Sequence, residues 1–600
     1  MDWLSLILWL VIGTISITFL FFKKRYAYWK DRGVEYVQPT IPLGNLPFRR
    51  KLHFKEITGN IYDRKSGKSP FLGAFFFATP AVVATDLDFV QTVLIKDFST
   101  FHGRGVYVNE VDDPISAHMF SLDGEKWKSL RAKLSPTFTS GKMKFMFPTV
   151  VEVADRFNAN LVDLTKGNGT LEMKDLLARF TTDVIGTCAF GIECNSMKTP
   201  DSEFRRYGSK AFDDPPHSTL FQLLGSIYPN IARKYFHMRV FKKEVSDFFM
   251  DTVRETIAFR EENNVRRNDF MDLLIQLKNG GSLEDEHSKK LGKLTLEEVT
   301  AQAFLFFLAG FETSSTTMMF ALYELSLNPD IQENARQEIE EILNKHDGKI
   351  SYESVKEMVL IDKIISETLR KYPPVVNLIR KCAQDFKVPN HDVIIEKDTT
   401  VVIPAYSIQH DPEIYENPEV FDPERFSPEQ PCEKTTIPME FSEQNPLLSP
   451  KYGMYLRVEK VNFTKIPAST SSKLLRKCAH DFHVPDSDII IEKDTVVFIP
   501  AYSIHRDPKI YENPEVFDPE RFSPEQVKNR RPVAFLGFGD GPKNCEGLKF
   551  GTMQSRIGLV TLLKNYRFKP SEKTRIAVEY VEEHPQLSLK YGIHLLVEKV

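Results

Sequence analysis

The sequence predicts a mainly α-helical protein with small β-sheets, of the α+β class, held at a membrane by its N-terminus. Helical amphipathic periodicity recurs over residues 143–162, 240–263 and 330–343, and an apolar stretch of helical length spans 301–325. A glycine-rich loop near the C-terminus leads into a further apolar helix. An almost unbroken apolar run also extends from Trp3 to Phe22, long enough for a hydrocarbon core. At 600 residues, 42% of them hydrophobic, the chain can fill one large domain. Its net charge of −4 gives no hint of nucleic acid.

The apolar run is followed by Lys23, Lys24, Arg25 and Lys30, charges expected to stay cytoplasmic. Asp2 precedes the run and bulky aromatics close it, so it reads as a retained anchor over 1–25 and not as a cleaved signal peptide. Pro39, Pro42 and Pro47 predict a stiff, basic hinge over 26–50 that lays the body on the membrane face. A cytoplasmic body faces the sequons at Asn168 and Asn462 away from the glycosylation machinery and accounts for free cysteines.

The loop Phe538-Gly-Asp-Gly541-Pro-Lys543-Asn-Cys545-Glu-Gly547 carries the chemistry. Gly539, Gly541 and Gly547 permit close approach of backbone to a flat macrocycle, and exposed N–H groups can hold Cys545 as a thiolate ligand to iron, with Phe538 against the ring. A buried structural cysteine and a phosphate-cradling loop are the bland alternatives. No Gly-Lys-Ser/Thr closes the loop, no βαβ acidic partner follows, and six cysteines give neither zinc spacing nor a disulfide framework.

Four further segments carry related chemistry. Ala309-Gly310-Phe311-Glu312-Thr313-Ser314 lies in the 301–325 stretch, where Gly310 costs about 1 kcal/mol against alanine unless space beside it is needed, here for oxygen. Glu312 and Thr313 supply an acid and a hydroxyl for proton delivery. Glu367-Thr-Leu-Arg370 puts two charges on one helical face before Pro373 and Pro374, and Phe421-Asp-Pro-Glu-Arg-Phe426 offers Arg425 to the same ion network. Trp127-x-x-x-Arg131 is a helical pair suited to a propionate. Taken singly, each is equally a packing contact or a surface ion pair.

Together these segments resemble the microsomal cytochromes P-450, and most closely the insect family six that oxidises plant toxins and insecticides. The likeness extends to Arg32-Gly-Val-Glu-Tyr-Val-Gln-Pro39, Gly186-Thr-Cys188-Ala-Phe-Gly191 and Gly547-Leu-Lys-Phe-Gly551. It implies the cytochrome P-450 fold over 51–376 and 527–600 and a haem b cofactor bound by Cys545. It also implies proton delivery by Thr313 and Glu312, a supporting network of Glu367 and Arg370, and propionate binding by Trp127 and Arg131. The implied activity is insertion of one oxygen atom of O2 into a lipophilic small molecule. Electrons would come from NADPH through NADPH-cytochrome P-450 reductase, with cytochrome b5 as a second partner. The implied location is the endoplasmic reticulum membrane. Substrate contacts are expected from the loop 101–120, the helix before Ala309, and Val375 to Leu378.

The chain departs from the family by an internal duplication. Arg380-Lys-Cys-Ala-Gln-Asp-Phe386 recurs as Arg476-Lys-Cys-Ala-His-Asp-Phe482, 96 residues on (476 − 380), and the repeat runs to Gln430 and Gln526. Residues 377–430 and 473–526 therefore encode one strand and meander twice, with Arg425 matched by Arg521. Residues 431–461 resemble 570–600, and 431–472 forms an extra tail and linker lacking the cysteine loop. One copy must be displaced, at a loop-closure cost of about 4 kcal/mol. Arg380 and Arg476 are both candidates for the propionate-facing strand, and Arg425 and Arg521 for the ion network. A fused or wrongly joined tandem gene giving an impaired haem protein is the alternative function. A nucleotide-binding protein using the glycine loop is a third.

Two departures fall inside the loop. Lys543 replaces the family's arginine and loses its planar fork. Glu546 replaces an apolar residue and is expected to repel the Cys545 thiolate and lower the reduction potential.

Overall fold

A computed structural model of the chain describes residues 3–46, 54–280 and 292–388, apart from 68, 167–168, 218–220, 222–224 and 226–227. It also describes 393–396, 399–404, 414–415, 421, 482–483, 490–495, 509–511, 518–519 and 522, and then 535–600 apart from 576–577, 582–586 and 588. The principal helices are α1 (Trp3–Tyr26), α2 (Gly124–Leu134), α3 (Ser140–Leu164), α4 (Met173–Ile185) and α5 (Pro229–Phe236). They continue with α6 (Lys243–Glu262), α7 (Leu296–Leu327), α8 (Pro329–Lys345), α9 (Val359–Lys371) and α10 (Leu548–Asn565).

Helix α7 is the axis of the body. Its entry is fixed by a capping box in which the Thr295 side chain accepts from the Glu298 backbone and the Glu298 side chain accepts from that of Thr295. The helix is buried from Val299 over most of its length, so its membrane-like composition belongs to a protein core. Against it lies α4, where Thr181 donates its hydroxyl hydrogen to the Phe311 carbonyl at 2.9 Å. Gly310 permits that approach, since a Cβ there would stand 2.4 Å from Ile185 Cδ1. The space that the sequence reading gave to oxygen is therefore filled by a neighbouring helix.

Most of the α1 side chains are exposed, and the helix is long and apolar enough to cross a membrane. The segment behind it, expected as a stiff hinge over 26–50, packs into the body at Tyr26 and Trp29. Trp29 is fully buried, donates Nε1–H to the Ala74 carbonyl at 2.9 Å, and fills the space left open by Gly73. Tyr26 donates to the Pro42 carbonyl at 2.9 Å. Burial of large aromatics outweighs the stiffness of Pro39 and Pro42; Pro47 lies outside the described residues.

The main sheet runs β1 (Phe71–Phe76), β2 (Thr79–Ala84), β6 (Thr400–Ile403), β4 (Leu378–Lys387), with β5 (Ile394–Ile395) on β4. The short strands β8 (Phe482–His483) and β9 (Ile490–Thr495) extend it. A second sheet joins β11 (Tyr566–Pro570), β12 (His594–Lys599) and β3 (Thr170–Glu172), and β7 (Ile414–Tyr415) pairs with β10 (Lys509–Tyr511). Small sheets beside a helical body match the expected class.

Buried Glu338 of α8 satisfies the first turn of α9, accepting from the N–H groups of Leu360 (2.7 Å) and Ile361 (3.2 Å). Burial outweighs those bonds and pushes its carboxyl up to about 7. The native state then binds more protons than the unfolded chain between the ordinary carboxylate range and pH 7, so this group's contribution to stability falls as pH rises through that window. Glu338→Gln is expected to flatten the slope of melting temperature between pH 5 and 7.5 relative to the unaltered chain, as scanning fluorimetry would read.

Candidate haem-thiolate site

Cys545 is presented by a tight loop. Gly539 (φ +68°) and Gly541 (φ +72°) take left-handed conformations, the Gly539 N–H donates to the Leu536 carbonyl at 3.0 Å, and the Cys545 N–H donates to Phe538 at 3.0 Å. The chain enters α10 at Leu548, with Gly547 beside Cys545 Sγ. Phe538 is buried beneath the loop.

Cys545 lines a partly open cavity. From α7 come Gln302, Leu305, Phe306 and Ala309, spaced to lie on one helical face. Thr313 is next on that stripe; it is buried and donates to the Ala309 carbonyl at 2.6 Å. Glu312 is turned toward α4, where Lys174 Nζ lies 3.1 Å from its Oε1.

Cations gather beside the cysteine loop. Lys543 is fully buried, sits 4.5 Å from the Trp127 ring centroid and pairs with Asp123 Oδ1 at 2.7 Å. Burial tends to raise the Asp123 carboxyl, but Lys543 overcomes it and holds it below its ordinary value. Arg104 donates to the carbonyls of Phe120 (2.7 Å) and Lys543 (3.1 Å). Its guanidinium is pushed down to about 9, chiefly by burial and also by neighbouring Arg131. Trp127, Arg131, Phe538, Lys543, Cys545 and Gly547, each assigned to haem binding from the sequence, all line this one cavity. Arg104, Asp123 and Gln302 were not singled out from sequence. Arg104 falls in the 101–120 loop assigned to substrate, and Gln302 continues the stripe of α7.

Arg131 has a partner that its sequence pattern did not announce. It donates to the Asn544 carbonyl (3.2 Å) and Oδ1 (2.9 Å) and pairs through Nε with Glu546, which also accepts from Ser135 Oγ at 2.7 Å. The Glu546 charge is thus opposed by a cation of α2, not left facing the sulfur. Glu546→Leu is expected to weaken this clamp by about 1.5–3 kcal/mol, the range for hydrogen bonds to charged groups. The reading would be a several-fold faster loss of the thiolate-type spectrum on warming.

Beneath the loop, Glu367 and Arg370 are fully buried and joined by two bonds, Nε to Oε2 at 2.5 Å and Nη2 to Oε1 at 2.6 Å. The Asp518 N–H donates to the same Oε1 at 2.6 Å. Arg380 is fully buried in β4 and donates Nη1–H to the Ile379 carbonyl at 2.9 Å. Arg425, Arg476 and Arg521 lie outside the described residues.

The donor set fits haem. A flat group with apolar faces and two carboxylates needs an apolar wall, a soft axial ligand and buried cations at one rim, and Phe306, Ala309 and Phe538, Cys545, and Arg104 with Lys543 supply these. Arg104 Nε is buried without a hydrogen-bond partner among the described residues, as expected of a group awaiting an anion. A haem-thiolate protein is the class that fold and cavity define. The family model for cytochrome P450 matches residues 37–442 and 466–591. The chain is 39% identical over 599 residues to "Probable cytochrome P450 6a21" of Drosophila melanogaster, covering 98% of this chain and 100% of that protein. It is 38% identical over 604 residues to "Cytochrome P450 6A1" of Musca domestica, covering 100% and 99%. The chain belongs to the cytochrome P450 family. It is a monooxygenase with haem as cofactor, electrons from a redox partner and a small-molecule substrate.

Proposed function

We propose that the chain is a microsomal monooxygenase that oxidises lipophilic small molecules such as plant toxins, insecticides and hormones. Its electrons come from NADPH through a membrane-bound flavoprotein reductase, with cytochrome b5 as a second donor. One atom of O2 enters the substrate, and the other takes up two protons and two electrons and leaves as water. Haem, when bound, supplies the iron that activates oxygen, and a thiolate axial ligand favours O–O cleavage.

The residues of the chain divide the remaining work. Cys545 Sγ would ligate the haem iron, and the turns at Gly539 and Gly541 and the backbone bond from Cys545 N–H to Phe538 hold the residue in place. Trp127, Arg131, Lys543, Arg104 and Arg380 would hold the propionates, Phe538 and Gly547 would pack on the ring, and Glu367 with Arg370 would support the loop. Thr313 holds a proton at Oγ1 on the cavity face of α7. Glu312, tied to partly exposed Lys174 at 3.1 Å, connects that hydroxyl to the surface. The apolar wall of Leu305, Phe306 and Ala309 excludes water.

Membrane attachment is supported by α1 and by α5, whose Ile231, Tyr235 and Phe236 are exposed beside Arg233 and Lys234. Lys23, Lys24 and Arg25 favour a body on the cytoplasmic face of the endoplasmic reticulum. The observation that carries the reading is Cys545 lining one cavity together with Arg104, Arg131 and Lys543. A carbon monoxide difference spectrum of the reduced, membrane-expressed chain tests it: a red-shifted thiolate-type Soret band is expected. Its absence in a chain that retains haem would favour an impaired product of a fused gene.

A further inference from the structure

The two copies of the duplicated segment enter the fold at different places. Copy one follows α9 directly. Its Leu378, Ile379 and Arg380 pair antiparallel with Ile403, Val402 and Val401 of β6, and β6 runs parallel to β2 through Ala81↔Thr400 and Val82↔Val401. The first copy therefore closes the main sheet and buries Arg380.

Copy two folds the same hairpin in the same register. His483 faces Ile490 as Lys387 faces Ile394, each residue moved by 96 (483 − 387 and 490 − 394). This second hairpin does not take the place beside β2. It lies along β4, with Cys382↔Thr495 and Phe386↔Ile490 antiparallel. Further on the order reverses. The N–H that reaches Glu367 belongs to Asp518 of copy two, and Phe522 of copy two is buried with its ring centroid 4.4 Å from that of Phe535, near the cysteine loop.

We propose that the haem-supporting framework is a composite: copy one supplies the strands through Ile403 and the buried Phe421, copy two supplies the contacts of Asp518 and Phe522, and strands β8 and β9 of copy two are stored on β4. Arg380, and not Arg476, is then the positioning arginine of the sheet. Using either copy whole would loop out a similar length, so chain entropy does not choose among the arrangements. The composite differs by giving the displaced strands an edge to pair with, where an unpaired edge invites aggregation.

The haem-retention arm of the test rests on the haem-thiolate reading, and a second arm does not. In the full-length membrane-expressed chain, Arg380→Leu is expected to lower haem per protein by about 10-fold or more, as losses of supporting contacts around a metal do. Arg476→Leu should leave it within about 2-fold of the unaltered chain, a difference on the scale of a single neutral contact. Equal losses, or the reverse order, would overturn the proposal. Thr495→Cys places a thiol opposite Cys382 in the antiparallel register, a spacing a disulfide can bridge. Mild oxidation followed by peptide mapping should recover a Cys382 cross-link, whether or not haem is bound, and failure to form it refutes the stored hairpin. A cross-link without haem in the unaltered chain would instead count against the haem-thiolate reading alone.

Discussion

Cys545→Ser is expected to abolish the thiolate-type Soret band of the reduced carbon monoxide complex and to lower oxidative turnover to background. The thiolate is the electron-rich axial ligand that favours O–O cleavage, and a serine hydroxyl remains protonated at neutral pH and cannot replace it. The backbone bonds that shape the loop do not involve the sulfur, so the variant should fold. Far-UV circular dichroism unchanged beside a lost spectrum would separate ligation from folding. An intact thiolate-type band in the serine variant would overturn the site.

Glu367→Ala should be the most destabilising single change at the base of the site. It leaves the Arg370 guanidinium fully buried without its bidentate partner, a break that costs about 3–5 kcal/mol in buried pairs. It also removes the acceptor of the Asp518 N–H, so the meander below the loop loses its tie to α9. The expected result is a markedly lower unfolding midpoint and loss of haem at temperatures the unaltered chain tolerates. Replacing an exposed pair such as Lys126 with Glu110 is the control, since exposed ion pairs contribute about 0–1 kcal/mol. A Glu367→Ala chain as stable as that control would show that the network carries no load.

Sequence periodicity came close to the helices because their apolar faces are buried along most of their length. The 301–325 stretch became Leu296–Leu327, and the added turn at its start is explained by Thr295 and Glu298, a capping pair that apolar periodicity does not register. The cysteine loop was legible because several unusual residues are needed close together, and Trp127, Lys543 and Cys545 reach one cavity from distant parts of the chain. Three features were not legible. Gly310 has the same sequence appearance whether its open side faces a ligand or Ile185, and only the packing of α4 decides. The Glu546 to Arg131 pair joins residues more than 400 positions apart, beyond any spacing rule. Which duplicate fills which slot is invisible in two nearly identical strings, because the difference lies in strand pairing and not in residue type.

The seat of Trp29 against Gly73 fixes the end of α1 to the body. Phe22, Tyr26 and Trp29 share one apolar cluster with β1 and β2, so the leash between anchor and body has almost no slack. A bilayer holding α1 would therefore hold the body at one tilt, set by the packing of these aromatics on the sheet. Trimming the N-terminus short of Phe22 should release a body still whole, whereas a cut beyond Trp29 unroofs the sheet it was meant to free.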